Sequence, residues 1–232
     1  MRILLVQPTT KYPDRRVLRS RTRWLLGITL PYLAALTPKG IQVDLVDDRL
    51  SPIPYQGDYD LVGITATCAT AERAYEISRE FRARGRQVVM GGFHASLHPD
   101  EVMEHCDAVV VGEAEAVWAQ LLEDARVKRL QRRYQAPQFH DLAGLPRPRL
   151  ELVDFGRYRV KIIPTQTSRG CPYHCAFCEV PIVYGHTYRR RPLEDVIDEI
   201  KANVRITGLK NIYFIDDNLT GHRDYAKELF QA

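Results

Sequence analysis

The stretch DLVGITATCATAERAYEISREFRARGRQVVMGG, residues 60–92, contains one complete strand–helix–strand unit. Asp60-Leu-Val-Gly-Ile64 is a short apolar run with β-branched residues. Ala71, Ala74, Tyr75, Ser78 and Phe81 then recur at helical spacing, and Gly85 stops the helix. Gln87-Val-Val-Met90 is a second apolar run, closed by Gly91-Gly92. Short β-branched runs bounded by glycine are what strands buried on both faces look like, and a helical crossover between two of them makes them parallel.

The alternation continues on both sides. Ile3–Val6 precedes Gln7-Pro8, Val43-Asp-Leu-Val46 follows Gly40, and Ala108-Val-Val-Val111 ends in Gly112. Ile28, Tyr32, Leu33 and Leu36 share one helical face, as do Ala114, Val117, Trp118, Leu121 and Leu122. Five strands alternating with helices predict a doubly wound, Rossmann-like α/β domain over residues 1–125. Such a sheet binds ligands at the C-terminal ends of its strands. Those ends are Thr65-Ala66-Thr67, Gly91-Gly92-Phe93-His94 and Gly112-Glu113-Ala114-Glu115. Gly91 and Gly92 would let a ligand approach the backbone closely; two tight turns without a ligand are the alternative. Neither a GxGxxG nor a P-loop pattern is present, which argues against a dinucleotide or nucleoside triphosphate site.

The 232 residues are 45% hydrophobic and 27% charged, which excludes global disorder and a disulfide-stapled miniprotein. The net charge of +4 is too small and dispersed to argue for nucleic acid, and no nucleic-acid partner is expected. No apolar run reaches the roughly 18 residues of a membrane span. The N-terminus enters a strand-like run at once and lacks a signal peptide's longer apolar stretch, so a cytoplasmic protein is expected. Arginine is dense over 15–23, 126–133 and 189–191; each run reads as a solvated face, with an anionic ligand as the alternative. Residues 126–158 are rich in Arg, Gln and Pro and read as a linker, pinned to a surface by Leu142, Leu145, Leu150 and Phe155.

Five cysteines, an odd number, argue against a disulfide framework. Cys68 and Cys106 are isolated, whereas Cys171, Cys175 and Cys178 cluster after a strand-like Lys161-Ile-Ile-Pro-Thr165. Gaps of three and two residues let one short loop wrap three thiolates around an iron–sulfur cluster and leave one iron open. A zinc site completed by His174 or His186 is the alternative. Beyond the loop, Pro192 opens a helix with Leu193, Val196, Ile197, Ile200 and Val204 on one face, and Gly208 ends it. Asn211-Ile-Tyr-Phe-Ile215 is a strand closed by Asp216-Asp217-Asn218, so the segment is a βαβ unit. An Asx turn capping the helix that starts near Asp224 is the plain reading of those three residues.

Phe177 directly precedes the last clustered cysteine, and Arg169-Gly170 precedes the first. With the spacing, these residues resemble the CxxxCx(aromatic)C signature of the radical S-adenosylmethionine (SAM) superfamily. Met1–Pro8, Gly63–Thr67, Gly91–Glu101 and Gly112–Glu115 resemble the cobalamin (B12)-binding domain found ahead of many such enzymes. The resemblance implies a 4Fe-4S cluster on Cys171, Cys175 and Cys178, with SAM on the fourth iron, cleaved reductively to a 5′-deoxyadenosyl radical. It implies SAM contacts from Phe177, Asp216, Asp217 and Asn218, and cobalamin contacts from Thr65, Ala66, Thr67, Gly91, Gly92, Gly112 and Glu113. It assigns no catalytic acid or base. The histidine that supplies a lower cobalt ligand in some of these domains is missing, because Gln7-Pro-Thr-Thr10 stands there. Either cobalamin binds without a protein imidazole, or the domain has kept its shape and lost the cofactor. His94 and His98 lie on another loop and read as ordinary loop or capping residues.

The implied function is cobalamin-dependent methyl transfer to an unactivated carbon of a small-molecule substrate, fed by an electron donor such as flavodoxin or ferredoxin. A non-methylating radical enzyme with a vestigial cobalamin domain, and a non-catalytic corrinoid or small-molecule carrier, are the alternatives. The implied (β/α) partial TIM barrel needs roughly 200 residues. Residues 159–232 supply two of its strands, so the chain is expected to be a truncated N-terminal portion, inactive alone.

Overall fold

The computed structural model describes residues 1–12, 14–23 and 25–232. The first part runs β1 (Arg2–Gln7), α1 (Thr29–Leu36), β2 (Gln42–Asp47), β3 (Leu61–Thr65), α2 (Ala71–Arg82), β4 (Gln87–Gly91), α3 (Phe93–Leu97), α4 (Pro99–His105), β5 (Ala108–Val111), α5 (Trp118–Arg126) and β6 (Arg133–Gln135). The six strands form one sheet in the order β2-β1-β3-β4-β5-β6. All pairs are parallel, with registers such as Val6 to Ile64 and Thr65 to Gly91.

Both faces of this sheet are covered, and the period of two along each strand divides its side chains between them. Leu4, Val6, Val62, Ile64, Val88, Met90 and Val109 pack with Ala74, Ile77 and Phe81 of α2 and Val102 of α4. Ile3, Leu5, Leu61, Val89, Ala108 and Val110 pack with Leu30 and Ala34 of α1 and Trp118, Leu121 and Leu122 of α5. Burying a side chain such as fully enclosed Phe81 contributes about 1.5–3 kcal/mol.

Three expectations need correction. Residues 133–135 are not linker but the sixth strand, which pairs with β5 from Val109 to Val111. Its flanking Arg133 and Gln135 are exposed and only Tyr134 is buried, so three residues carry no detectable period. The helix expected from Ala114 begins at Trp118, after a turn in which Val117 N–H and Trp118 N–H both donate to Ala114 O. Two short helices, α3 and α4, fill the span after Gly92; Pro99 starts the second, and neither is long enough to show a stripe.

The second part contains β7 (Ile163–Thr165), β8 (Ser168–Arg169), α6 (Val180–Tyr184), β9 (Arg189–Arg190), α7 (Leu193–Thr207), β10 (Ile212–Phe214) and α8 (Arg223–Gln231). β7 and β10 pair in parallel with α7 as their crossover, which is the βαβ unit read from the sequence. α7 follows Pro192, carries Glu194 and Asp195 in its first turn, and ends at Gly208 with φ 70°. β8 and β9 form an antiparallel pair that sets Arg169 opposite Arg189. The cap of α8 is His222, whose Nδ1 accepts from Tyr225 N–H at 3.3 Å, rather than an Asx turn at 216–218. A third core, of Leu26, Leu150, Tyr158 and Ile163, ties both parts together. No helix among the described residues is long and apolar enough to cross a membrane.

Tyr134 is buried, and its hydroxyl donates to Asp124 Oδ2 at 2.7 Å. Tyr134→Ala is therefore expected to lower the unfolding free energy by about 3 kcal/mol in urea titration. A change within about 0.5 kcal/mol would show that this strand is not part of the sheet.

Candidate functional site

Gly63 and Gly91 lie on the α1/α5 face of the sheet, in line with Leu61 and Val89. Two missing side chains there leave a cavity of about 170 Å³ over the ends of β3, β4 and β5. Tyr32 of α1 and Trp118 of α5 wall it, and Gln166, Arg169 and Tyr184 reach it from the second part of the chain. A Cβ on Gly91 would meet only Val110, at 3.5 Å. Gly92 is different: with φ 94°, its Cβ would lie 2.8 Å from Ala66 O and Thr65 Oγ1. The neighbouring strand end, rather than access for a ligand, dictates glycine at 92.

Thr65, Gly91, Gly92, Gly112 and Glu113 line the cavity, and Ala66 and Thr67 do not. The Ala66 peptide is used by Gly91 O and His94 N–H, while Thr67 is exposed and its N–H bonds Thr70 Oγ1 at 3.0 Å. Sequence reasoning placed the ligand at the strand ends and missed the wall and roof. Tyr32 and Trp118 looked like ordinary core positions of amphipathic helices, and Arg169 like part of the cysteine signature.

A buried charge cluster closes one side of the cavity. Arg169 Nη1 lies 2.5 Å from Glu115 Oε1 and 3.2 Å from Glu113 Oε1. Arg189 grips the Glu113 carboxylate in a bidentate manner, Nη2 to Oε1 at 2.7 Å and Nη1 to Oε2 at 3.0 Å. His140 N–H donates to Glu113 Oε2 at 2.8 Å, and Tyr32 OH donates to Glu115 Oε1 at 2.8 Å. Burial alone would raise the Glu113 carboxyl, but the Arg189 hydrogen bond, the His140 amide and the charge of Arg169 hold it below the usual carboxylate range. Burial pushes the Tyr184 hydroxyl up to about 12. Only Arg190 of the run 189–191 is exposed: Arg189 holds Glu113, and buried Arg191 pairs with Glu199 at 2.9 Å.

The cysteine loop starts from the same arginine. Gly170, with φ 80°, turns the chain so closely past Thr187 O that a Cβ would lie 2.2 Å from it. Cys171 and Cys178 are half-buried, Cys175 is exposed, and all three thiols are free. Phe177 is 92% exposed. Asp216, at the end of β10, accepts from Thr167 N–H at 3.1 Å, Thr167 Oγ1 at 2.7 Å and Ser168 Oγ at 2.5 Å. Its carboxylate is therefore committed to holding the base of the loop, which argues against the expected SAM contact. Asp217 accepts from Gly170 N–H at 3.0 Å, and burial raises its carboxyl against that bond. Asn218 Nδ2 lies 3.6 Å from Cys171 Sγ as a donor. His174 and His186, offered as zinc ligands, stack on each other with ring centroids 4.0 Å apart.

Glu113 has a depressed folded value, so its contribution is full above the ordinary carboxyl value of 4.5 and is lost as pH falls through the depressed one. Glu113→Gln is expected to cost about 3–5 kcal/mol at neutral pH, because it leaves buried Arg169 and half-buried Arg189 undercompensated. Urea unfolding should show that difference shrinking towards pH 3. An equal loss at both pH values would contradict the assignment.

The B12 binding domain family matches residues 27–122, and the Radical SAM superfamily matches residues 165–232. The chain is similar to the bacteriochlorophyllide d C-8(2)-methyltransferase of Chlorobaculum tepidum, 40% identical over 176 residues, 73% of this chain and 39% of that one. It is similar to the C-12(1)-methyltransferase of the same organism, 30% identical over 240 residues, 92% of this chain and 52% of that one. It thus spans only about two fifths to one half of the length of these relatives. The radical S-adenosylmethionine methyltransferase TsrM from Kitasatospora setae, solved with a tryptophan substrate and a SAM analog, shares the fold, with a TM-score of 0.76 at 21% identity over 99% of this chain and 50% of that one. A second structure of TsrM has cobalamin and a 4Fe-4S cluster bound.

Proposed function

The chain belongs to the radical SAM enzymes that carry a B12-binding domain, and from that premise we propose that it supplies the cobalamin site and the cluster loop of a cobalamin-dependent methyltransferase acting on an unactivated carbon. The observation that carries this reading is the double use of Arg169, which borders the strand-end cavity and stands two residues before Cys171. One residue thus joins the two sites that such a reaction must bring together.

The donor set fits a cluster: three free thiols in one short, partly exposed loop, with a side-chain amide directed at one sulfur. When bound, the cluster supplies the electron that cleaves SAM to a 5′-deoxyadenosyl radical, and cobalamin carries the methyl group. Cys171, Cys175 and Cys178 would hold the irons, and the Asn218 amide would donate to the Cys171 sulfur and draw electron density from it. Asp216 keeps the loop base in place through Thr167 and Ser168. Asp217, Asn218 and the exposed ring of Phe177 would contact SAM.

The cavity has room for one base-sized group: Gly63, Gly91 and Trp118 would hold the nucleotide tail of cobalamin, and Thr65, Gly92, Gly112 and Glu113 would border the corrin. Gln7-Pro8 offers no imidazole to the cobalt. We assign residues 1–135 to the cobalamin half and 159–232 to the start of the barrel. A flavodoxin or ferredoxin as donor, a small-molecule substrate and a cytoplasmic location complete the reading.

Anaerobic reconstitution should load about four irons and matching sulfide per chain. Cys171→Ala, Cys175→Ala and Cys178→Ala should each remove the brown chromophore, whereas Cys106→Ala should keep it. Cob(II)alamin bound to the chain should show an EPR spectrum without axial nitrogen splitting, and Gly91→Phe should weaken its binding about tenfold or more, from loss of the space between strands. Tight zinc without sulfide would overturn the cluster, and equal cobalamin binding by Gly91→Phe would overturn the tail pocket.

A further inference from the structure

A second group of ligating side chains lies on the rim of the sheet, among residues that do not line the cavity. Cys68, in the turn after β3, and His94 and His98, at the two ends of α3, each bring one donor atom within 4.8 Å of the others. The hydrogen bonds around His94 identify its donor. The Tyr75 hydroxyl donates to Glu101 Oε1 at 2.8 Å. It has one proton, so towards His94 Nε2, 2.7 Å away, it can only accept. Nε2 therefore carries the imidazole proton, and Nδ1 presents a lone pair. That Nδ1 is buried without a hydrogen-bond partner, on a residue only 6% exposed. An acceptor left so is costly, and native structures satisfy such groups with a partner, a water or an ion.

The sequence reading of these histidines as capping residues gains no support: no side chain caps α3, and the His98 side chain makes no cap bond at the start of α4. We propose instead that Cys68 Sγ, His94 Nδ1 and a ring nitrogen of His98 form a site for a divalent transition ion, Zn²⁺, with its fourth position open to water. Thiolate sulfur and imidazole nitrogen are donors that borderline-soft Zn²⁺ takes, and three protein ligands leave its fourth position open. The chain Glu101–Tyr75–His94 is the outer support such a site needs: it fixes the tautomer and aims Nδ1 at the ion. Cys68 and His98 are exposed, which gives the ion an entry path. On binding, the Cys68 thiol loses its proton to solvent, and no electron is transferred.

The test uses the full chain with Cys171, Cys175 and Cys178 replaced by alanine, so that the loop cannot compete. Chelator competition should give one Zn²⁺ per chain with a Kd at or below about 1 µM. Cys68→Ser and His98→Ala, both at exposed positions that leave the core intact, should each weaken binding by more than the roughly 100-fold that loss of an outer partner costs. Glu101→Gln should weaken it by about 10–100-fold. Co²⁺ should give a thiolate-to-metal charge-transfer band that Cys68→Ser abolishes. A chain that binds no Zn²⁺ at micromolar concentrations, or binds it equally well after Cys68→Ser and His98→Ala, would overturn the proposal.

Discussion

The buried ion-pair cluster of Glu113, Glu115, Arg169 and Arg189 is the constraint on which the arrangement of the two halves depends. Two carboxylates from the turn after β5 meet two guanidinium groups from β8 and β9. The strand pairing sets Arg169 opposite Arg189, a like-charge pair that would be unfavourable alone. The glutamates compensate it, and the guanidinium groups in turn make it tolerable to bury the glutamates. Removing any one member leaves a buried charge uncompensated, so the cluster works as a unit. Because Arg169 is followed by Gly170 and Cys171, the unit also fixes where the cysteine loop leaves the fold.

Around this clasp the remaining contacts serve position. Asp216 ties the end of β10 to Thr167 and Ser168, and Asp217 ties it to Gly170. The loop is thereby held at both sides of its entry, while Cys175 and Phe177 stay exposed. On the opposite side, the absence of side chains at Gly63 and Gly91 leaves room above the sheet. The two rims divide the work: the α1/α5 face carries the cavity, and the α2 face carries Cys68, His94 and His98.

The sheet was legible because both of its faces are buried, so that each of the first five strands is a short apolar run ended by a turn residue. The cysteine loop was legible because ligand spacing lies within eight consecutive residues. β6 was not, since its stability comes from Tyr134 and from pairing with β5, neither of which leaves a periodic trace. The arginines at 189 and 191 read as solvated charge and Arg169 as part of the cysteine signature, because their partners Glu113, Glu115 and Glu199 are distant in sequence or sit on helix and turn positions without a shared motif. Gly92 was recognised as special for the wrong reason: its positive φ and the proximity of Ala66 O are tertiary facts. The ligand geometry at His94 was also hidden, because it rests on the Tyr75–Glu101 bond formed across two helices.

The most direct measurement of the clasp is a double-mutant cycle between Glu115→Gln and Arg169→Gln, read by urea unfolding of the full chain. The account predicts that the two substitutions are strongly coupled, with the double variant losing less than the sum of the single losses by about 1.5 kcal/mol or more, within the range measured for residues in one ion-pair network. Additivity within about 0.5 kcal/mol would contradict it.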